Sequence, residues 1–254
     1  MTPKLRIMGI PGSKSCKAIV DGTKINRFCN KKHGASVLIN YGLAGTRLKR
    51  FYRKYPSARR IPTINRTVGH SKLKVVNSAR RKGINAPMSK LSLSQSDKKS
   101  DWIEKRISSQ GGYGICKARR KGRITGKYYQ KYIKNRRYEL RVHGFLWTDA
   151  WRIQKRYGKR GEIAWNFNNG GHFVTVRSTQ STVFKEAIKT TKKILKMLGM
   201  AFGAADFIVD DRGKLWFIEI NSCPGFQELS KGIYTNAFEK LHKMAPGKIR
   251  KFAS

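Results

Sequence analysis

The stretch GAADFIVDDRGKLWFIEINSCPGF, Gly203 to Phe226, decides how this chain is read. Two apolar runs flank Asp210-Asp211-Arg212-Gly213, which has the composition of a hairpin turn. Asp206 starts the first run and Glu219 ends the second. If the runs pair as strands, Asp206, Glu219 and Asn221 converge at one end of a sheet. Glu219 and Asn221 are two apart and project from the same strand face. Two carboxylates and an amide oxygen form a hard, all-oxygen ligand set, suited to Mg²⁺ held against the phosphates of a nucleotide. Asp210 and Asp211 read simply as turn residues. Glu219 does not, because a carboxylate within an apolar strand is costly to bury without a cation or hydrogen bonds.

Working outward, 254 residues with a hydrophobic fraction of 39% and an aromatic fraction of 11% are enough for one large domain or two to three small lobes. No apolar run approaches the roughly 18 residues of a membrane helix. The first residues, MTPKLRIMGIPGSKSCK, lack the apolar core of a signal peptide. A soluble, cytoplasmic protein with no membrane partner is expected. Cys16, Cys29, Cys116 and Cys223 include no C-x-x-C pair, so reduced, unlinked thiols are expected. The net charge is +42. Residues 1–138 hold 36 Lys and Arg against 4 Asp and Glu, and residues 139–254 hold 20 against 10. Self-repulsion on this scale destabilises a compact fold unless counterions or a polyanion neutralise it. A polyanionic partner is implied, nucleic acid being the commonest; charge serving solubility alone is the plainer alternative.

Along the chain, Lys4–Ile10 reads as a strand, Pro11–Gly22 as a helix capped by Ser13 or Ser15, and Ala35–Gly42 as a second strand. This βαβ start suggests a small parallel sheet. Thr46–Arg60 reads as a basic connection in which Phe51, Tyr52 and Tyr55 either stack on bases or, for two of the three, pack inward. His70–Gly83 reads as a helix, Trp102–Ile107 as a strand, and Ser108–Gly114 as a glycine-rich turn. Tyr138–Trp147 and Ala150–Gly158 read as paired strands, and Ser181–Gly199 as the clearest helix. One or two short helices end the chain.

Glycine in the Ser108–Gly114 turn lets backbone N–H groups approach phosphate oxygens, although tight hairpins use glycine too. Lys105 or Arg106 on the preceding strand can supply a phosphate-facing charge. Adjacent strand residues face opposite ways, so one of them points inward, and Lys105 is slightly favoured. Glu139 and Arg141 share a strand face. An arginine there wants an anionic partner: Glu139, Asp206 or a phosphate. Lys155 adds a second candidate cation. Asn169-Gly170 is a turn, whereas Asn166 can orient phosphoryl oxygens.

These pieces stand in a telling order: basic strand, glycine loop, Q-x-Y-I, E-L-R-V, Q-K-R, N-x-x-x-G-G, amphipathic helix, D-F-I-V-D and E-I-N-x-x-P-G. From about Val37 to Phe226 the chain resembles the ATP-grasp family, in particular the ligases that join a carboxylate to an amine, of which ribosomal-protein glutamate ligases are one branch. The layout, with LINYG and the helix ending RRKGINAP in front, is also similar to uncharacterised bacteriophage ligase-like proteins; for such an origin the location implied is the host cytoplasm. The resemblance implies an α+β or α/β chain: an ATP-grasp fold of two α+β lobes clasping nucleotide, preceded by a small α/β domain. The implied divisions are residues 1–85, 86–135 and 136–254.

The resemblance further implies that Asp206, Glu219 and Asn221 bind Mg²⁺, or Mn²⁺ in its place. Lys105 or Arg106, with Ser109, Gly111, Gly112 and Gly114, would cover the ATP triphosphate. Gln130, Tyr132 and Ile133 would belong to the linker whose backbone meets adenine. Arg141 would steady the transferred phosphoryl group, and Lys155 and Asn166 match polar site positions. Lys131 departs from the pattern, standing where an acidic residue beside the adenine is expected; this bears on ribose recognition. The implied reaction is amide formation through an acyl phosphate, under a glycine lid that excludes water. The competing reading is a nucleic-acid-binding or virion-packaged basic protein on a repurposed ATP-grasp scaffold.

Overall fold

The computed structural model describes residues 4–28, 35–107, 114–158, 162–165, 171–176, 180–225 and 228–253. The chain opens with β1 (Leu5–Gly9), α1 (Lys14–Asp21), β2 (Asn26–Arg27) and β3 (Val37–Tyr41). The Ser13 hydroxyl accepts a hydrogen bond from the Cys16 N–H at 3.2 Å, capping α1, and Gly22 follows its last turn. β1 and β3 run parallel, as the βαβ pattern predicts. The segment read as a basic connection is instead a helix, α2 (Gly45–Lys54), followed by a 3-10 turn over Pro56–Arg60. Its Leu48, Phe51, Tyr52 and Tyr55 recur at helical spacing and pack on Met8, Leu38, Leu43 and Ala58. All three aromatic side chains therefore face inward. The first sheet closes with β4 (Thr63–Ile64), in the order β2-β1-β3-β4.

The next helix, α3 (Lys72–Arg81), ends at Gly83, whose φ of +72° suits glycine. A small antiparallel sheet follows, in the order β5-β10-β7-β8, from β5 (Ser89–Lys90), β7 (Trp102–Arg106), β8 (Cys116–Lys117) and β10 (Lys127–Lys131). A two-stranded pair, β6 (Ser92–Leu93) with β9 (Gly122–Arg123), flanks it.

The largest sheet is antiparallel, in the order β13-β12-β11-β14-β15. Its strands are β11 (Arg136–Phe145), β12 (Arg152–Tyr157), β13 (His172–Thr175), β14 (Phe202–Asp210) and β15 (Leu215–Asn221). Alternation assigns its faces. Leu140, Val142, Ile153, Ala205, Phe207 and Val209 form an apolar face, covered by Phe184, Ala187 and Ile194 of α4 (Thr182–Met197). The opposite face carries Glu139, Arg141, Gln154, Arg156 and Asp206. Asp210 accepts hydrogen bonds from the N–H groups of Arg212 and Lys214, closing the β14–β15 hairpin. The edge strand β15 is covered by α3, and the Phe217 N–H donates to the Asn85 carbonyl at 2.8 Å.

The last helices, α5 (Glu228–His242) and α6 (Pro246–Arg250), return to the first sheet. There Tyr234, Phe238, Leu241 and Ile249 pack with Leu5, Ile7 and Ile39, and with Phe145 and Phe202 of the large sheet. Asn65, at φ +56°, ties the two sheets: its side chain accepts from the Ala201 N–H at 2.7 Å and donates to the Phe202 carbonyl at 2.9 Å. Residues 1–85 and 136–254 thus share two hydrophobic cores, whereas Leu93, Trp102, Ile124 and Tyr129 form a separate one within 86–135. Among the described residues, Cys16, Cys116 and Cys223 are free thiols, and no helix is long and apolar enough to cross a membrane.

Candidate active site

The charged face of the large sheet is organised by strand register. Gln154, Arg141, Asp206 and Glu219 stand directly opposite one another across β12, β11, β14 and β15. Directly paired residues share a face, so one row carries an amide, a guanidinium and two carboxylates. The next row brings Arg156 opposite Glu139, with Phe173 of β13 beside Arg156. An irregularity in the β14–β15 register follows the Asp206–Glu219 pair, where Ile218 is the extra residue. Such a bulge re-aims neighbouring side chains.

Arg141 binds Asp206 with both arms, Nε to Oδ1 and Nη2 to Oδ2, each at 2.7 Å. Of the three anions open to Arg141, Asp206 takes it. Arg156 bridges the rows, 2.9 Å from Glu139 and 3.7 Å from Asp206. Glu139 also accepts from Arg136 at 2.7 Å. Burial opposes charge on Asp206, but the Arg141 guanidinium outweighs it and, with Arg156, holds the carboxyl at about 2. Burial pushes the Glu139 carboxyl up, against the pull of Arg156 and Arg136. Behind this row His143 is fully buried: Nε2 donates to Gln154 Oε1 at 3.0 Å, and Nδ1 accepts the Tyr234 hydroxyl at 2.8 Å. Burial, then the Arg141 charge, presses the imidazole down to about 3, so it is neutral at ordinary pH.

Glu219 pairs with Lys72 of α3 at 2.7 Å, and Asn221 Oδ1 accepts the Cys223 N–H at 2.9 Å. Among the described residues no group of three or more His, Cys, Asp or Glu is placed to hold a metal ion. The candidate set is two carboxylates and an amide, and Mg²⁺ is usually held by one or two carboxylates together with substrate phosphates. A carboxylate has about four lone-pair sites and an amide oxygen two, so the existing contacts leave acceptor capacity on all three residues. The donor chemistry fits Mg²⁺.

The small sheet faces this row across a cavity of about 1160 Å³. Alternation on β7 sends Ile103 and Lys105 to the cavity and Glu104 away, where it binds the Arg119 N–H and Lys127. Lys105 is 5% exposed and donates to Gln130 Oε1 at 3.2 Å. Burial lowers its pKa, against the pull of Glu219, Glu139 and Asp206. Arg106 is exposed and lies off the cavity wall; the Cβ of any residue replacing Gly114 (φ +77°) would come 2.9 Å from its Nε. Gln130, Tyr132 and Ile133 line the cavity, and the linker is fixed by the Lys131 and Tyr132 N–H groups donating to Met88 and Asp101 carbonyls. The Lys131 side chain reaches Asp101 at 3.0 Å and lies over Trp102.

One expected site residue is misplaced. Lys155 opposes Leu140 on the apolar face, its ammonium 4.6 Å from the centre of the Tyr138 ring. The next residue, Arg156, has the strand phase that reaches the cavity. Arg156, Arg136 and Lys72 complete the charged wall without having been expected there; the alternation of Arg152, Gln154 and Arg156 carries the signal for the first. Ser109, Gly111, Gly112 and Asn166 lie outside the described residues.

A sequence profile of the ATP-grasp domain matches residues 70–225, more than half of the chain. Comparison with curated proteins gives no match. Among solved structures, the ATP-grasp ligase PsnB complexed with a minimal precursor is similar at 10% identity and TM-score 0.61, covering 92% of this chain and 98% of that one. D-alanine–D-alanine ligase from Bacillus anthracis complexed with ATP is similar at 14% identity and TM-score 0.61, over 97% of each chain. The macrocyclase MdnC from Microcystis aeruginosa, bound with precursor peptide MdnA, is similar at 13% identity and TM-score 0.55, over 91% of this chain and 97% of that one. At such identities the likeness is one of fold. The domain match, carried on two sheets that close over one charged cavity, places this chain in the ATP-grasp family, as an enzyme of the ATP-grasp ligase type.

Proposed function

We propose that the chain joins a carboxylate to an amine at the expense of ATP, through an acyl phosphate. One observation carries the reading: Asp206, Glu219, Arg141, Arg156 and Lys105 meet on the wall of a single cavity, beside the Gln130–Ile133 linker. A volume of about 1160 Å³ exceeds the usual range of about 300–1,000 Å³ for one small-molecule site. It has room for a nucleotide and a second substrate. Asp206, Glu219 and Asn221 would hold Mg²⁺, or Mn²⁺ in its place, and the bound ion would offset phosphate charge. Lys105 supplies a buried positive charge for the phosphates, and the linker orients the base. Arg141 and Arg156 stabilise charge on the phosphoryl group as a substrate carboxylate oxygen attacks phosphorus and ADP leaves. The amine then attacks the acyl carbon, phosphate departs, and the nitrogen loses a proton.

Hydroxylamine trapping tests the reading. Acyl phosphates react with hydroxylamine to give hydroxamates, so the protein with ATP, Mg²⁺ and a panel of amino acids and acidic peptides should yield hydroxamate and ADP in equal amounts. Lys105→Met and Arg141→Met should abolish both. ADP release without hydroxamate on every carboxylate tried would overturn the ligase assignment.

A further inference from the structure

No Asp or Glu occurs from Gly22 to Ser96, a span holding 18 Lys and Arg. Helix α2 concentrates that charge. Its apolar side packs inward, leaving Arg47, Lys49, Arg50, Arg53 and Lys54 exposed on the outer side. On a helical projection Arg47, Arg50 and Lys54 form one stripe, with Lys49 and Arg53 beside it. Arg59 and Arg60 extend the surface along the following 3-10 turn. Among the described residues none of these seven cations pairs with a carboxylate. Like charges three and four residues apart weaken a helix, so an isolated α2 bears a repulsion that a polyanion would relieve. The stripe is also joined to the site: Ala44 and Arg47, at the start of α2, line the cavity that holds Asp206 and Glu219.

We infer that the α2 surface docks an acidic polypeptide and leads its reacting group into the cavity. This deepens the ligase reading and rests on it. Two observations favour a peptide over a nucleic acid. The rings that would stack on bases, Phe51 and Tyr55, pack with Phe28 at 5.7 and 5.3 Å and serve the core. The chemistry proposed for the cavity consumes a carboxylate and an amine; an acidic peptide supplies both, and an unmodified nucleic acid has no carboxylate. Successive cations along the stripe lie about one helical turn apart, roughly 5.4 Å. Alternate side chains of an extended peptide recur every 6.6 Å or so, so neighbouring carboxylates can reach neighbouring cations.

The test is fluorescence anisotropy with a labelled polyglutamate peptide, and in parallel with a single-stranded DNA of matched net charge. Both use the full chain without nucleotide. The triple variant Arg50→Gln/Arg53→Gln/Lys54→Gln lies outside the cavity wall. It should bind the peptide at least about tenfold more weakly than wild type. A control, Lys185→Gln/Lys189→Gln/Lys196→Gln on α4, removes the same charge elsewhere and should change affinity by no more than about twofold. Thermal melting confirms that each variant is folded, and calorimetry with Mg²⁺ and ATP should give the same nucleotide affinity for all three proteins. Equal weakening by both triple variants would show a bulk-charge effect and overturn the proposal. So would absence of peptide binding, or DNA binding tighter than peptide binding and lost in the α2 variant. Nucleotide binding separates the two readings: peptide failure with nucleotide binding intact rejects the docking surface alone.

Discussion

Replacing Arg141 by Met removes both hydrogen bonds to Asp206 and leaves a buried carboxylate whose nearest cation is Arg156 at 3.7 Å. Breaking a buried pair from one side costs about 3–5 kcal/mol, because the remaining charge loses its partner. Arg156 retains part of that interaction, which favours the lower end, about 3 kcal/mol. For a chain of this size the urea slope is about 3 kcal/mol per molar, so the unfolding midpoint should fall by about 1 M. Removing the orphaned charge as well should restore most of the loss, making Arg141→Met/Asp206→Asn more stable than Arg141→Met alone. Acidification supplies a second signature. In the wild type the Asp206 carboxyl is held at about 2, below its ordinary 3.8. Its contribution of about 2 kcal/mol is present above pH 3.8 and lost as pH falls toward 2. Without Arg141, burial raises the folded-state value above the unfolded one, so the variant gains stability as it takes up a proton. The gap between wild type and variant should therefore narrow from about pH 7 to about pH 4. A midpoint unchanged by Arg141→Met, or a double variant as unstable as the sum of the single losses, would refute this account of the pair.

The His143 imidazole is pressed from 6.5 down to about 3 by burial. It therefore costs no stability above about pH 6.5, and about 2 kcal/mol at about pH 5, where the unfolded chain takes up a proton and the folded one does not. Urea titrations should show this loss in the wild type and not in His143→Gln, and the His143 NMR resonances should not titrate above about pH 5. Asn65→Ala, at a 1% exposed position with φ +56°, strands backbone groups of Ala201 and Phe202. It should cost about 3–4 kcal/mol by denaturant unfolding, and a loss under 1 kcal/mol would contradict the linking role. Lys155→Met should leave ATP affinity within about twofold, whereas Arg156→Met should lower it by about tenfold or more; the opposite order would reverse the face assignment.

The hairpin carrying Asp206 and Glu219 is legible because two apolar runs and a turn of known chemistry leave one pairing. The parallel start and the long helix α4 follow from spacing just as directly. Strand phase is harder. Lys105 and Arg106 are equivalent cations until alternation is anchored, and Glu104, tied on the outer side by Lys127 and the Arg119 N–H, supplies the anchor. The same ambiguity misplaces Lys155: in RIQKRY the cationic neighbours point to opposite faces, and Lys155 sends its long stem over Tyr138 and Phe184. Helix α2 is hidden by its charge, although Leu48, Phe51, Tyr52 and Tyr55 hold the helical period. Lys72 and Arg136 reach Glu219 and Glu139 through tertiary packing, to which a local pattern is blind.

The central claim is that Asp206 and Glu219 act together on a metal-bound nucleotide. Its most direct test is isothermal titration of the protein with a non-hydrolysable ATP analogue, with and without Mg²⁺. Wild type should bind in a Mg²⁺-dependent manner, and Glu219→Gln and Asp206→Asn should each weaken that binding by about tenfold or more while leaving the Mg²⁺-free titration little changed. Equal affinity in wild type and both variants, indifferent to Mg²⁺, would contradict it.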